Sequence, residues 1–323
     1  MKKKVLITGA SGFIGRALNQ KLSEKDYDIR FVVRSKQLSS CEGPCNGCKI
    51  FTIDGSREDL GLTNAMCDVD TIIHLAARVH IMRDSEPDPI AAFYKTNVDL
   101  TKKLVDIAVI SKVKRFVFIS SLHVTGNESF FAPLNEKDVP NPSSPYAISK
   151  WEAEQYLNEI AKKNGMEVVI IRPPLVHGPR VKANFLSLLK LTKIGLPLPV
   201  GSLNGKRSMI SVNNLVDFIV CCIKHPKAAN ETFFVSDDED VSTKELFIKL
   251  IKLFGKRPLL LPVPAKILYI LGDLLGRKSI VERLCAPLQV NITKAKTLLS
   301  WKPVQTLDDG LKETVEWYKK EHV

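Results

Sequence analysis

The sequence predicts an α/β protein: a doubly wound parallel sheet with a smaller C-terminal substrate-binding α/β region. Three observations predict it. Short apolar runs rich in Val, Ile, Leu and Phe alternate with amphipathic segments up to Gly178. Strands of that kind belong to a parallel sheet covered by helices on both faces. The first apolar run passes directly into the glycine-spaced stretch TGASGFIG and a helical pattern. After Gly178 the composition changes, with Pro- and Gly-rich segments such as GLPLPVGSLNGKRS and KRPLLLPVPAK between helical ones. The expected division is therefore a nucleotide-binding domain over residues 1–178 and a second region over 179–323, with the chain free to cross back.

Each element follows from its local pattern. KKVLITGASGFIGRALNQKLSEK reads as strand, glycine turn and helix; DIRFVVRS, CKIFTID and DVDTIIHLAA supply the second, third and fourth strands. A helix is expected across DPIAAFYKTNVDLTKKLVDIAVIS, then a strand in VKRFVFISS. SPYAISKWEAEQYLNEIAKKNG forms the next helix and MEVVIIRPP a sixth strand. Beyond these, VSTKELFIKLIKLFG and LDDGLKETVEWYKK carry helical periodicity.

With 323 residues, 45% hydrophobic and 25% charged, the chain has the composition of an ordinary globular protein. Its 47 Lys and Arg exceed its 35 Asp and Glu by 12, which favours anionic partners. The cations are scattered and no basic run is interleaved with aromatics, so a phosphorylated small molecule is expected rather than a nucleic acid. Met1-Lys2-Lys3-Lys4 leads straight into a strand without a signal-peptide pattern, which predicts a cytoplasmic protein with its seven cysteines reduced. Cys41, Cys45 and Cys48 cluster in CEGPCNGC, one ligand short of a closed zinc site. Cys67 or a histidine would have to complete it; the alternative is a variable surface loop, and no metal is assigned. The longest apolar stretch, Leu259–Gly276, is interrupted by two prolines, a lysine and an aspartate. It predicts a core helix or a lid, or alternatively an interfacial anchor, but no transmembrane segment.

Gly9, Gly12 and Gly15 recur at three-residue steps between strand and helix. Gly9 permits the tight turn, Gly12 lets backbone N–H groups approach a pyrophosphate, and Gly15 lets the helix pack on the strand. The helix N-terminus then offers donors and partial positive charge to phosphates. This predicts a Rossmann-type dinucleotide site, with a merely structural turn as the alternative. Arg34 lies 19 residues after Gly15, near the position about 20 residues on that contacts the adenosine ribose. An acid there would hold the 2′-hydroxyl of NAD; an arginine suits the 2′-phosphate of NADP, with Ser35 and Lys36 assisting. Arg34 as a simple strand-end cap is the alternative.

Tyr146 and Lys150, in YAISK, stand four residues apart at the start of a helix and so share one face. An ammonium beside the phenol is expected to lower the tyrosine pKa, which suits proton exchange with a sugar hydroxyl or ketone. Ser120 and Ser121 close the strand RFVFISS at the carboxyl edge, where ligands sit in such sheets. Ser121 is thereby placed to hydrogen-bond the same oxygen as Tyr146.

The motifs TGASGFIG, HLAA, NVDLT, SSLHVTG, YAISK, RPPLVHGP and LLSWKP stand in the order of the extended short-chain dehydrogenase/reductase family, and the chain resembles that family over nearly its whole length. The resemblance implies that Ser121, Tyr146 and Lys150 are catalytic. It assigns Gly9, Ser11, Gly12, Phe13, Ile14, Gly15, Arg34, Asp54, Ala76, Ala77, Tyr146, Lys150 and Pro173 to the cofactor. Asp54 would accept from the adenine amino group, and Asn97 would brace the central helix. Substrate contacts would come from Arg78, Ser121, His123, Tyr146, Asn184 and Arg207, the last two through a nucleotide diphosphate.

The sequence departs from the family pattern at three places. Val124-Thr125-Gly126 replaces VYG, Leu175 replaces an asparagine that contacts substrate, and His177 replaces a tyrosine in a structural rather than catalytic role. AARVH, SPYAISKWEAE, GMEVVIIRPPLVHGP and GKRSMISVNNLVD resemble bacterial surface-polysaccharide enzymes that reduce a 4-keto UDP-sugar, a subgroup that often carries the name UDP-glucose 4-epimerase. The implied reaction is NADPH-dependent reduction of a UDP-2-acetamido-2,6-dideoxy-4-hexulose, with NADP(H) preferred and NAD(H) the alternative. A UDP-hexose 4-epimerase with captive NAD is the second reading. A non-enzymatic NADP(H)-binding sensor is the third, disfavoured by the intact trio. The resemblance also implies a homodimer through the helices carrying NVDLT and YAISK.

Overall fold

The computed structural model describes residues 2–24, 27–34, 48–53, 58–79 and 87–322; the side chains of Arg34, Glu58 and Ser279 lie outside that description. β1 (Lys3–Thr8) leads through the glycine turn to α1 (Phe13–Ser23), and β2 (Tyr27–Arg34), β3 (Lys49–Ile53), α2 (Glu58–Met66) and β4 (Thr71–His74) follow. The helix expected after β4 is broken into α3 (Pro89–Tyr94), a π turn over Lys95–Asp99, and α4 (Leu100–Ile110). β5 (Arg115–Ile119), a 3-10 turn (Leu122–Val124), α5 (Pro145–Asn164) and β6 (Glu167–Arg172) complete the alternation read from sequence.

The remaining chain forms β7 (Leu175–His177), α6 (Ala183–Ile194), β8 (Lys206–Arg207), β9 (Met209–Ser211), α7 (Val212–Lys224) and β10 (Glu231–Phe234). After these come β11 (Val241–Ser242), α8 (Thr243–Leu253), α9 (Ala265–Leu274), α10 (Lys278–Cys285), α11 (Thr293–Leu299) and α12 (Leu307–Glu321).

Seven parallel strands form the central sheet in the order β10-β6-β5-β4-β1-β2-β3. The winding reverses between β1 and β4, so a crevice opens at their carboxyl ends, where Thr8 pairs with His74. Every residue of β4 and β5 is buried, as expected for strands covered on both faces. One helical layer packs through Leu18, Leu22, Leu215, Phe218 and Ile219; the other packs through Leu62, Leu104, Ala153 and Leu157. Fully burying side chains of this size stabilises the fold by about 1.5–3 kcal/mol each.

The seventh strand, β10, was not among the six read from sequence. It comes from beyond Gly178 and pairs with β6, Phe233 opposite Ile171. Two small sheets, β7 with β9 and β8 with β11, stand apart from the main one. His177 on β7 is fully buried against the Asp237 carboxylate at 2.9 Å and stacks on Phe185, which gives it a structural place.

Two expectations change. Cys48 is disulfide-bonded, against the expectation of reduced thiols, while Cys41 and Cys45 lie outside the described residues. The apolar stretch Leu259–Gly276 forms no core helix: α9 buries only Gly272 fully, because α10 packs close against one side and leaves the other uncovered. No helix among the described residues is long and apolar enough to cross a membrane.

Candidate active site

The glycine turn is built by steric exclusion. Gly9 has φ +73°, and a Cβ there would lie 2.6 Å from the Ala76 nitrogen. A Cβ on Gly15 would lie 2.3 Å from the Gly9 oxygen, so α1 meets β1 too closely for any side chain. Gly12 is the N-cap of α1, without a side-chain cap and without an acid in the first turn. Its N–H donates to the Gly9 oxygen at 3.0 Å. Ser11 lies in the turn beside Gly12, and Phe13 and Ile14 pack partly into the core.

Ala76 and Ala77 follow β4 at the crevice, and the Ala76 N–H donates to Thr8 Oγ1 at 3.3 Å. At the carboxyl end of β5, Ser120 Oγ is buried with no hydrogen-bond partner among the described residues. A bare helix N-terminus, glycines admitting close approach and an unspent hydroxyl at the end of the neighbouring β5 fit a dinucleotide. Pro173 is buried and its carbonyl accepts from the Leu122 N–H at 3.1 Å, which ties β6 to the turn after Ser121. Asp54 and the side chain of Arg34 lie outside the described residues.

Ser144 caps α5, with its hydroxyl accepting from the Ala147 N–H at 3.2 Å and Pro145 at the first helical position. That cap fixes where Tyr146 and Lys150 emerge. Lys150 is buried and donates to the Ile119 carbonyl at 2.8 Å, with its ammonium 4.5 Å from the centre of the Phe118 ring. Burial lowers its pKa to about 7, and the Glu154 carboxylate pulls the other way. Ser121, extended and buried, receives the His123 N–H at 3.3 Å, and its hydroxyl lies close enough to the Tyr146 phenol to influence its titration.

The pKa direction expected for Tyr146 is reversed. Desolvation pushes it up to about 12, and only the nearby Ser121 hydroxyl opposes the rise. The Lys150 ammonium is engaged by the Ile119 carbonyl and does not act on the phenol.

Phe93 and Ser149, which have no clear signal in the sequence, join Arg78 and Asn97 around the site. Phe93 packs edge-on against Tyr146 at 6.3 Å, with the Arg78 guanidinium 5.8 Å from its ring centre. Asn97, buried in the π turn, accepts from the Arg78 N–H at 2.8 Å and donates to the Arg78 carbonyl and to Ser149 Oγ, both at 3.0 Å. Ser149 donates to the Tyr146 carbonyl at 2.8 Å. Asn97 therefore ties the loop after β4 to the helix that carries Tyr146 and Lys150, and π turns of this kind recur at functional sites.

His123 and Arg207 come together with Arg283 of α10. Burial lowers the His123 pKa, and the two guanidinium groups lower it further, outweighing a 2.7 Å contact to Asn127. Arg207 is lowered in turn by burial and by Arg283. Positive charges gathered in this way suit a diphosphate. Arg283 belongs to no motif visible in the sequence. Asn184 is exposed in the first turn of α6, and among the described residues no hydrogen bond ties it to these groups. No group of three metal-ligating side chains occurs among the described residues.

A crevice at the switch point and a glycine-cradled helix end are the features of a dinucleotide-binding doubly wound sheet. The family model for the NAD dependent epimerase/dehydratase family matches residues 5–235. The chain belongs to that family, the extended short-chain dehydrogenases/reductases, and is a nucleotide-sugar enzyme of that type.

It is 42% identical to a Vibrio cholerae UDP-glucose 4-epimerase, over 98% of this chain and 95% of the relative. It is 29% identical to an Escherichia coli O157:H7 N-acetyl-alpha-D-glucosaminyl-diphospho-ditrans,octacis-undecaprenol 4-epimerase, covering 98% and 96%. Among solved structures, Thermotoga maritima UDP-glucose 4-epimerase with UDP-glucose aligns with TM-score 0.78 at 24% identity, covering 98% and 99%. Bacillus cereus UDP-glucuronic acid 4-epimerase with NAD aligns with TM-score 0.78 at 23% identity, covering 99% and 100%. These two likenesses establish the shared fold.

Proposed function

We propose that the protein is a cytoplasmic NADPH-dependent reductase acting at C4 of a UDP-sugar, with a UDP-2-acetamido-2,6-dideoxy-4-hexulose as substrate. The observation that carries this reading is that Tyr146 and Lys150 share one face of α5 with the Ser121 hydroxyl beside the Tyr146 phenol. Reduction adds a hydride to C4 and a proton to its oxygen. Bound NADPH supplies the hydride when present.

Tyr146 supplies the proton. A phenol held near 12 keeps its proton at neutral pH, the state a reductase needs at the start of its cycle. Ser121 donates to the same oxygen and spreads the charge that develops on it. Lys150 fixes the face of α5 by its bond to Ile119 and is placed to hold the nicotinamide ribose. His123 and Arg207 hold the UDP diphosphate, and Arg78 and Asn184 line its approach. Asp54 and Arg34 hold the adenosine end, and Arg34 sets the preference for NADP(H). The same reading includes a homodimer formed through α4 and α5.

The purified protein should oxidise NADPH when given a UDP-4-keto sugar. Failure with every such sugar would sink the reductase. The name of the Vibrio cholerae relative favours a second reading, a 4-epimerase that oxidises C4 and reduces it from the opposite face. NAD retained through purification, together with interconversion of UDP-glucose and UDP-galactose, would establish that alternative.

A further inference from the structure

We propose that the α9–α10 hairpin docks on an anionic phospholipid surface. α9 keeps its inner side on protein. Gly272 approaches α10 so closely that a Cβ would lie 2.6 Å from Val281 Cγ2. Ala265 and Leu268 pack with Leu284 on a small core of Leu198, Val200, Leu203, Phe247 and Ile251.

The outer side has the opposite character. Ile267, Ile270, Leu271 and Leu274 follow the i, i+3, i+4, i+7 spacing and share one face. They are 47%, 61%, 47% and 77% exposed, and Leu275 beyond them is 72% exposed. Leu259 and Leu261, just before the helix, are 54% and 50% exposed. Four large apolar side chains exposed along one helical face mark an interaction surface rather than scattered exposure.

Charge selects the occupant. Between Lys256 and Arg283 the chain has six Lys and Arg against two acids, Asp273 and Glu282, a local net of +4. Lys256 and Arg257 stand before the apolar face, Lys266 within it, and Arg277 and Lys278 just after it. An apolar helical face bordered by cations, too short to span, is the pattern of a helix lying in the headgroup region of an anionic bilayer. A second copy of the same surface would set these cations against their own kind, which disfavours self-association there. The hairpin also carries Arg283, which stands with His123 and Arg207, so docking would bring the diphosphate-binding end of the site to the bilayer surface.

The test is flotation of the purified full chain with two kinds of vesicle, phosphatidylcholine alone and phosphatidylcholine with about 30% phosphatidylglycerol. The protein should float with the anionic vesicles only, and about 0.5 M salt should weaken the association. The double variant Ile270→Glu/Leu274→Glu should lower the bound fraction at least about fivefold while its thermal unfolding is unchanged. Absence of binding to anionic vesicles, or equal binding by the double variant, would overturn the proposal. So would a fall in oligomer mass of that variant in analytical ultracentrifugation, which would show that a second copy covers the face.

Discussion

Glu154 and Arg172 form a buried two-pronged ion pair one helical turn beyond Lys150. Arg172 Nε donates to Glu154 Oε1 at 3.0 Å, and a second guanidinium nitrogen reaches Oε2. Their side chains are 5% and 0% exposed for Arg172 and Glu154. Arg172 also donates to Thr125 Oγ1 at 3.0 Å and lies over Trp151. The pair joins β6 to α5 and sets a negative charge close to the Lys150 ammonium.

Glu154→Gln should therefore cost about 3–5 kcal/mol in chemical denaturation, because it leaves the Arg172 charge buried without its partner. Replacing both residues together, Glu154→Leu with Arg172→Met, should recover much of that loss. A single variant as stable as the wild type would mean that the pair contributes little.

On the proposed mechanism, Tyr146→Phe removes the proton donor. Turnover should fall by roughly 10²–10⁴-fold, the usual worth of a positioned acid. Cofactor affinity, measured by fluorescence titration, should change little. A parallel loss of binding would assign Tyr146 to holding the cofactor instead.

Arg34 ends β2 at the sheet's carboxyl edge. Arg34→Asp should weaken NADPH binding by about 10- to 150-fold, the range for losing a charged hydrogen bond of about 1.5–3 kcal/mol. NADH binding should hold or improve. Equal effects on the two cofactors would remove the basis for a phosphate preference.

His74 should make the fold acid-sensitive. It is fully buried between Thr8 Oγ1 at 2.6 Å and Thr101 Oγ1 at 2.9 Å, and desolvation, with a smaller push from Lys150, lowers its pKa to about 3. From about 6.5 down to about 3 the unfolded chain takes up a proton that the folded chain refuses. Stability from this group is therefore complete above 6.5 and falls by up to about 1.4 kcal/mol per pH unit below it. His74→Gln should be less stable at neutral pH but show a shallower decline on acidification. Parallel declines in denaturation midpoint for the two proteins would assign the acid sensitivity elsewhere.

Much of this architecture is legible in the sequence because it rests on local rules. Gly9 and Gly15 announce a turn where a Cβ would strike backbone, and the mostly apolar runs of β4 and β5, buried throughout, announce a covered sheet. The four-residue spacing of Tyr146 and Lys150 puts them on one face once Ser144 caps the helix. What the sequence hides depends on distant parts of the chain. β10 is short and becomes a sheet strand only by pairing with β6. Phe93 and Arg283 reach the site through tertiary packing alone. The π turn around Asn97 has no periodic signature, since one extra residue per turn looks like continued helix. Spacing alone also could not show that Lys150 turns to the Ile119 carbonyl, which left the Tyr146 pKa to be set by burial.

The edge position of β10 has a consequence for biosynthesis. β6 is complete at Arg172, but its outer neighbour begins at Glu231, and α7, which covers that side through Phe218 and Ile219, lies between them in the chain. A nascent chain that has emerged only as far as β6 therefore presents an unpaired, apolar strand edge of the kind that recruits other chains. Aggregation during translation should be greatest in that interval and should end when Phe234 emerges and closes the sheet.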